Sequence, residues 1–173
     1  MYPQNAVSNF PNTKKINHTV ELNALFIEHL KKMLWTEQTI LPVINVMLEN
    51  STSKKLVDFL TLKQLEATIH LASLESIFSA LNLPMATKEF DAVEKLTQQL
   101  LDFMNNTDAG DVMDAGIISY CKKIQHYQVM SYGILRAYSI TVRKEKIIRL
   151  LENIIFENKQ SYQKLERLAE YYI

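Results

Sequence analysis

Apolar positions recur at spacings of three and four residues along most of the chain, which is typical of helices that bury one face. In the first such stretch, the positions on this stripe are Leu22, Phe26, His29, Met33, Glu37, Ile40, Ile44 and Met47. Pro42 lies inside the stretch and lacks a backbone donor, so we expect a kink there rather than a helix end. Residues 50–53, Asn-Ser-Thr-Ser, predict a connection that also supplies a cap to the next helix.

The rest of the pattern predicts four further helices. The second stripe consists of Leu56, Phe59, Glu66, His70, Leu74, Ile77 and Leu81, and Asn-Leu-Pro at 82–84 ends it. A shorter amphipathic segment spans about residues 89–104, and the following Asn-Asn-Thr-Asp-Ala-Gly is a strong turn signal. Two more long helices are predicted over about residues 112–138 and 141–171.

The lengths and connections of these segments indicate a fold. Four long helices, two short connections and one longer crossover with a short extra helix predict an all-α, ferritin-like antiparallel four-helix bundle. Residues 1–17 contain two prolines and lack helical periodicity, so we expect a flexible N-terminal arm. The bundle domain is then expected to span residues 18–173.

Composition excludes several classes of function. Nineteen basic and nineteen acidic residues give no net charge, so we expect binding neither to nucleic acid nor to an anionic membrane surface. The single cysteine, Cys121, excludes an internal disulfide and a Cys-rich metal site, and we interpret it as a small apolar residue. No apolar stretch approaches the roughly 18 residues of a membrane span. With no signal peptide apparent, we expect a cytoplasmic location.

Polar residues near the middle of each long helix interrupt the apolar stripes. They include a pair of glutamines on the third long helix, and the candidate metal ligands among them are Glu37, Glu66, His70, Gln125, Gln128 and Glu157. In an antiparallel bundle such positions meet at one level, where ferritin-like proteins hold two metal ions with four carboxylates and two histidines. Three carboxylates and one imidazole fall short of that set, and a glutamine carbonyl is a weak, neutral ligand.

Two other interpretations of these residues stay open. Each Glu could lie one step off the core line and serve only as a solvated residue. Alternatively, the side chains could form a metal-free network in which Gln amides donate to Glu carboxylates; there, we expect burial to raise at least one carboxyl pKa. Tyrosines at positions 120, 127, 132 and 138 could mark an oxidation relay, but aromatic residues at this spacing usually fill a core.

Longer motifs in the same helices resemble one bacterial family, the YciE/YciF-type ferritin-like stress proteins. The similar stretches are 25–42 with its Glu and Leu-Pro, 65–78, 114–133 with Gln-His-Tyr-Gln followed by Tyr-Gly, and 157–165. The family's most specific stretch normally reads Glu-His-Tyr-Glu. In this chain, amides replace the two carboxylates that flank His126 and Tyr127. The resemblance covers about residues 20–170 and implies a dimeric, cytoplasmic, stress-linked protein with a di-iron site.

The depleted ligand set favours a non-catalytic bundle acting as a homodimer or interaction protein, with a degenerate di-metal site. We therefore expect no bound cofactor, or at most iron or another divalent metal at partial occupancy. The alternative is a di-iron oxidoreductase or peroxide-detoxifying protein that uses Glu37, Glu66, His70 and Glu157 as ligands.

Overall fold

The computed structural model describes residues 18–172, except for the side chains of residues 141 and 142; the predicted arm, residues 1–17, lies outside the described residues. Five α-helices make up the regular structure of the described part. They are α1 (His18–Asn50), α2 (Lys54–Ala80), α3 (Asp91–Asn105), α4 (Asp111–Val142) and α5 (Glu145–Tyr172). None of these helices has the length and apolar character needed to cross a membrane.

The four long helices form two hairpins that pack against each other. Helix α1 pairs with α2, and α4 pairs with α5; α1 also packs on α4, and α2 on α5. The short helix α3 lies in the crossover and packs against α4 and α1. At Gly116 of α4 the two helices come so close that a Cβ would overlap the Phe103 ring. The predicted ferritin-like four-helix bundle is therefore confirmed.

Buried polar contacts fix the turn between α1 and α2. Ser53 is the N-cap of α2, as expected, and its hydroxyl accepts from the Leu56 backbone N–H. The almost fully buried carboxylate of Asp114 accepts from the Thr52 N–H (2.9 Å), the Thr52 hydroxyl (2.8 Å) and the Ser53 N–H (2.8 Å). Because Asp114 belongs to α4, these bonds attach the turn of one hairpin to the other hairpin.

Two predicted boundaries differ from the structure. Helix α4 continues past Tyr138 to Val142, and α5 begins at Glu145 rather than near residue 141. The turn between them consists of Arg143 and Lys144, and Arg143 adopts the left-handed conformation (φ 53°) without glycine. Neither Gly nor Pro marks this turn in the sequence, and for this reason the turn was predicted a few residues too early in the chain. Helix α1 passes through Pro42 without ending, as expected.

The core has two apolar clusters with polar side chains between them. One cluster, around Met47, Leu60 and Ile117, lies toward the α1–α2 turn and α3. The other, around Phe26, Phe78 and Leu151, lies toward the α4–α5 turn. On α1, α4 and α5, most of the buried polar residues come between the residues of these two clusters. On α2, His70 lies between the clusters, whereas Lys63 and Glu66 come before Ala67, the last α2 residue of the first cluster.

Candidate functional site in the bundle core

Polar side chains from all four long helices meet in the middle of the bundle, and we call this set the polar layer. Most of its members are buried, so they bind mainly to one another instead of to solvent. The polar layer consists of Glu37 from α1, Lys63, Glu66 and His70 from α2, Gln125, Gln128 and Tyr132 from α4, and Glu157, Asn158 and Ser161 from α5.

Glu37 is the centre of one half of the polar layer, and its side chain is fully buried. Its Oε1 atom accepts from Gln128 Nε2 (2.9 Å) and from the Tyr132 hydroxyl (2.8 Å). His70 Nδ1 lies 3.6 Å from the same oxygen, close enough for electrostatic attraction but beyond a normal hydrogen bond. Side chains of two other helices therefore converge on a single carboxylate oxygen of α1.

The acidity of Glu37 is not what burial alone would give. Burial acts to raise its pKa, but His70, the Tyr132 hydroxyl and the positive charge of Lys63 together outweigh burial, so the pKa is lowered from 4.5. The surroundings of Glu37 therefore lower its pKa, and the prediction that burial raises at least one carboxyl pKa of the network stays a prediction. The physical reason for the lowered pKa of Glu37 is that this carboxylate has enough donors to be stable in its ionised form.

His70 links the centre of the polar layer to its edge. The imidazole is fully buried, and its Nε2 lies 3.1 Å from Glu157 Oε2. The Glu157 side chain is 37% exposed, so its carboxylate lies between the core and solvent. A protonated His70 would direct its two N–H groups toward two carboxylates, those of Glu37 and Glu157.

Glu66 is the centre of the other half. Its Oε2 lies 2.9 Å from Lys63 Nζ, and its Oε1 accepts a short hydrogen bond from the Ser161 hydroxyl. Lys63 Nζ is also 3.4 Å from Asn158 Oδ1, and Gln125 Nε2 donates to the Asn158 backbone carbonyl (3.2 Å). Both oxygens of Glu66 are thus already bound by side chains of the protein.

The structure brings most of the predicted site residues together. Glu37, Glu66, His70, Gln125 and Gln128 are buried in the polar layer, which excludes the interpretation of Glu37 and Glu66 as solvated residues. Glu157 joins from the edge. Gln160, three residues after Glu157, is exposed.

Sequence reasoning missed Lys63, which is 8% exposed. Its position continues the stripe of α2, four residues after Phe59 and three before Glu66. A lysine at a stripe position is usually interpreted as solvated, because lysine is almost never buried unless it is paired. The carboxylate three residues later was the signal that could have identified it.

The residues present do not fit a pair of metal ions. In the described part of the chain, no group of three or more His, Cys, Asp or Glu side chains has an arrangement that could hold a metal ion. Three carboxylates opposed by the Lys63 ammonium leave two negative charges, whereas two divalent ions carry four positive charges. The role of the candidate residues as metal ligands stays a prediction.

Some polar atoms of this region have no hydrogen-bond partner among the described residues. They are Thr36 Oγ1, Glu37 Oε2, His70 Nδ1, Gln125 Oε1 and Asn158 Nδ2. Of these residues, Gln125 lines a small cavity of about 20 Å³, together with Lys63 and Cys121 among others, and this cavity has room for roughly one water molecule. Burial raises the pKa of the Cys121 thiol to about 12, which is consistent with an inert apolar residue.

Comparisons with known proteins agree with this architecture. The profile of a family described as "Domain of unknown function (DUF892)" matches residues 21–173. Protein YciF of Escherichia coli (strain K12) is 30% identical over 88 residues, an alignment that covers 51% of this chain and 53% of that protein. The chain therefore matches about half the length of this relative.

Two solved structures share the fold. The crystal structure of the E. coli stress protein YciF superposes with a TM-score of 0.82 at 22% identity, covering 87% of this chain and 96% of that one. YcfI from Rhodopseudomonas palustris superposes with a TM-score of 0.80 at 23% identity, covering 84% and 92%. At these identities the likeness concerns the fold alone.

Proposed function

The chain belongs to the DUF892 family, and from this premise we propose that it is a non-catalytic, stress-associated ferritin-like bundle that acts as a homodimer or interaction protein. The stress association follows the description of the E. coli relative YciF as a stress protein. A cytoplasmic location is part of the same proposal.

The observation that carries this proposal is the mutual pairing inside the polar layer. Both oxygens of Glu66 and one oxygen of Glu37 are bound by protein donors, and two amides take positions that carboxylates would need to occupy in a di-metal site. Such a layer orders the four helices through hydrogen bonds and ion pairs without a cofactor. It supports a structural role more strongly than a redox role.

Elemental analysis of the purified protein tests the absence of a metal centre. We expect less than one tightly bound transition-metal ion per chain after purification. The Gln125→Glu/Gln128→Glu double variant is the informative comparison, because it restores carboxylates at two ligand positions. Two irons per chain in the unaltered protein would contradict the proposal.

An apolar groove between α4 and α5 supports the homodimer. Met130, Ile134 and Phe156 are 56%, 38% and 64% exposed and line this groove together with Gly133 and Ala137. Glu152 lies in the same groove but is already paired with Arg136 of its own chain (2.8 Å), so the apolar side chains carry the proposed contact between two copies related by a two-fold axis. Contiguous apolar groups of this kind commonly mark interaction sites.

Light scattering coupled to size exclusion tests this surface. We expect a dimer for the unaltered chain and a monomer for Phe156→Ser. The control is Val112→Ser, which removes an apolar side chain that is 70% exposed outside the groove and leaves the dimer intact. A Phe156→Ser protein that stays dimeric would exclude the groove as the interface.

A di-metal oxidoreductase or peroxide-detoxifying protein is the second candidate. The observation that favours it is that Glu37 Oε2 and His70 Nδ1 have no hydrogen-bond partner among the described residues, because both atoms could act as ligands. Anaerobic titration with ferrous ions should then show stoichiometric binding and oxidation after addition of oxygen or peroxide. An unchanged absorbance spectrum would exclude this candidate.

A further inference from the structure

A basic side chain already lies among the carboxylates of the polar layer. Lys63 is buried, its Nζ contacts Glu66 Oε2 at 2.9 Å, and Asn158 Oδ1 lies 3.4 Å away. Its positive charge also favours the ionised form of Glu37 and of Cys121. One ammonium therefore acts on both buried carboxylates of the layer.

We propose that the Lys63 ammonium is the resident cation of the polar layer and replaces the metal ions that this arrangement of helices can otherwise hold. The inference rests on the proposed function and names the residue responsible for it. An ion bound to Glu66 Oε2 would lie next to Nζ, where like charges repel in a medium of low dielectric constant. Lys63 thus supplies the positive charge and at the same time excludes a competing ion.

This assignment predicts that removing the charge creates a cation site. No group of metal ligands is formed among the described residues while Lys63 holds Glu66. Lys63→Gln releases Glu66 Oε2, so that the Glu66 side chain can turn toward Glu37 Oε2 and His70 Nδ1, two atoms with no hydrogen-bond partner among the described residues. Carboxylate and imidazole groups together bind divalent transition metals. We therefore expect Lys63→Gln to bind a divalent ion more tightly than the unaltered chain does.

Titration with Co²⁺ under anaerobic conditions measures this gain, because Co²⁺ reports its ligands by visible absorption. We expect Lys63→Gln to bind Co²⁺ at least tenfold more tightly than the unaltered chain and to gain more than about 5 °C in Tm at saturation. Lys54→Gln is the matched control, since it removes a positive charge from the same helix at a side chain that is 87% exposed. It should behave like the unaltered chain.

The double variant Lys63→Gln/Glu66→Gln separates loss of folding from loss of binding. Because it removes both charges of the pair, it should be more stable than Lys63→Gln in the absence of metal and should bind no Co²⁺. A double variant that is less stable than Lys63→Gln would contradict the proposal. So would a Lys63→Gln protein that stays unfolded at millimolar Co²⁺.

The outcomes distinguish this inference from the proposed function. If neither the unaltered chain nor folded Lys63→Gln binds Co²⁺, Lys63 is not a substitute for a metal, while the non-catalytic bundle stands. If the unaltered chain itself binds two ions per chain, the proposed function fails as well.

Discussion

Glu37 and Glu66 are both buried in the polar layer, yet different kinds of partner hold them. Glu37 is bound by two neutral donors, Gln128 and Tyr132, with the His70 imidazole nearby. Glu66 is bound by the Lys63 ammonium and the Ser161 hydroxyl. The stabilisation of a buried carboxylate that is paired with a full charge depends mainly on that one partner. The stabilisation of a carboxylate held by neutral donors is shared among several partners. The two halves should therefore respond differently to the same change.

Removing each carboxylate in turn should give the largest difference. Glu66→Leu leaves the Lys63 ammonium buried without its partner, and we expect a loss of about 3–5 kcal/mol in the free energy of unfolding. Glu37→Leu leaves mainly neutral donors unpaired, and we expect about 1–3 kcal/mol. Urea unfolding of both variants measures the two values. An equal or larger loss for Glu37→Leu would show that the halves do not differ in this way.

Removing one hydroxyl from each half should give a smaller difference in the free energy of unfolding, and here the Glu37 half should lose more than the Glu66 half. Tyr132→Phe keeps the ring packing but removes one of the two neutral groups that donate hydrogen bonds to the Glu37 carboxylate. We therefore expect a loss of about 1.5–3 kcal/mol in the free energy of unfolding. Ser161→Ala leaves the Lys63–Glu66 pair in place, and we expect about 1 kcal/mol. Thermal unfolding can rank the two variants. A Ser161→Ala effect above that of Tyr132→Phe would contradict the comparison.

Some residues of the polar layer could be predicted from the sequence and others could not. Gln125 and Gln128 stand out because an amide on an apolar stripe is costly to bury unless it has hydrogen-bond partners. Asn158 was missed although Ile154, Asn158, Ser161 and Leu165 form the buried stripe of α5. The carboxylate one position before Asn158 was preferred because it fits metal chemistry. Burial of one polar neighbour rather than the other depends on the rotation of α5, which only packing determines.

The fold was more predictable than the site for a related reason. Helix existence and the order of connections follow from long apolar stripes and from signals such as Ser53, which many residues support together. The pairing of Lys63 with Glu66 and Asn158 depends on single side-chain positions contributed by two helices. The three-residue spacing of Lys63 and Glu66 on α2 could have indicated their pairing, but periodicity carries no information about the contact between Lys63 and Asn158 of α5.

The pH dependence should show the smallest effect, because protonation leaves the shape of Glu37 unchanged. The folded-state pKa of Glu37 lies below its ordinary value of 4.5. Its ionised form therefore stabilises the fold above about pH 4.5, and that contribution is lost as the pH falls through the lower folded-state pKa. Between about pH 6 and 3.5, the unaltered chain should lose more stability than Glu37→Gln.

Urea unfolding at several pH values measures this dependence. Glu75→Gln, which changes an exposed carboxylate on α2, is the matched control and should follow the unaltered chain. Parallel curves for the unaltered chain and Glu37→Gln would mean that Glu37 does not contribute to stability through its charge.

The central claim, that the polar layer is complete without a metal, is tested most directly by the melting temperature of chelator-treated protein with and without added divalent ions. At about 1 mM Fe²⁺ (anaerobic), Mn²⁺ or Co²⁺, we expect a change in Tm of less than about 1 °C, because a ligand that binds neither state leaves the equilibrium unchanged. A saturable rise of roughly 5 °C or more would reveal a metal bound by the folded chain and would contradict that claim.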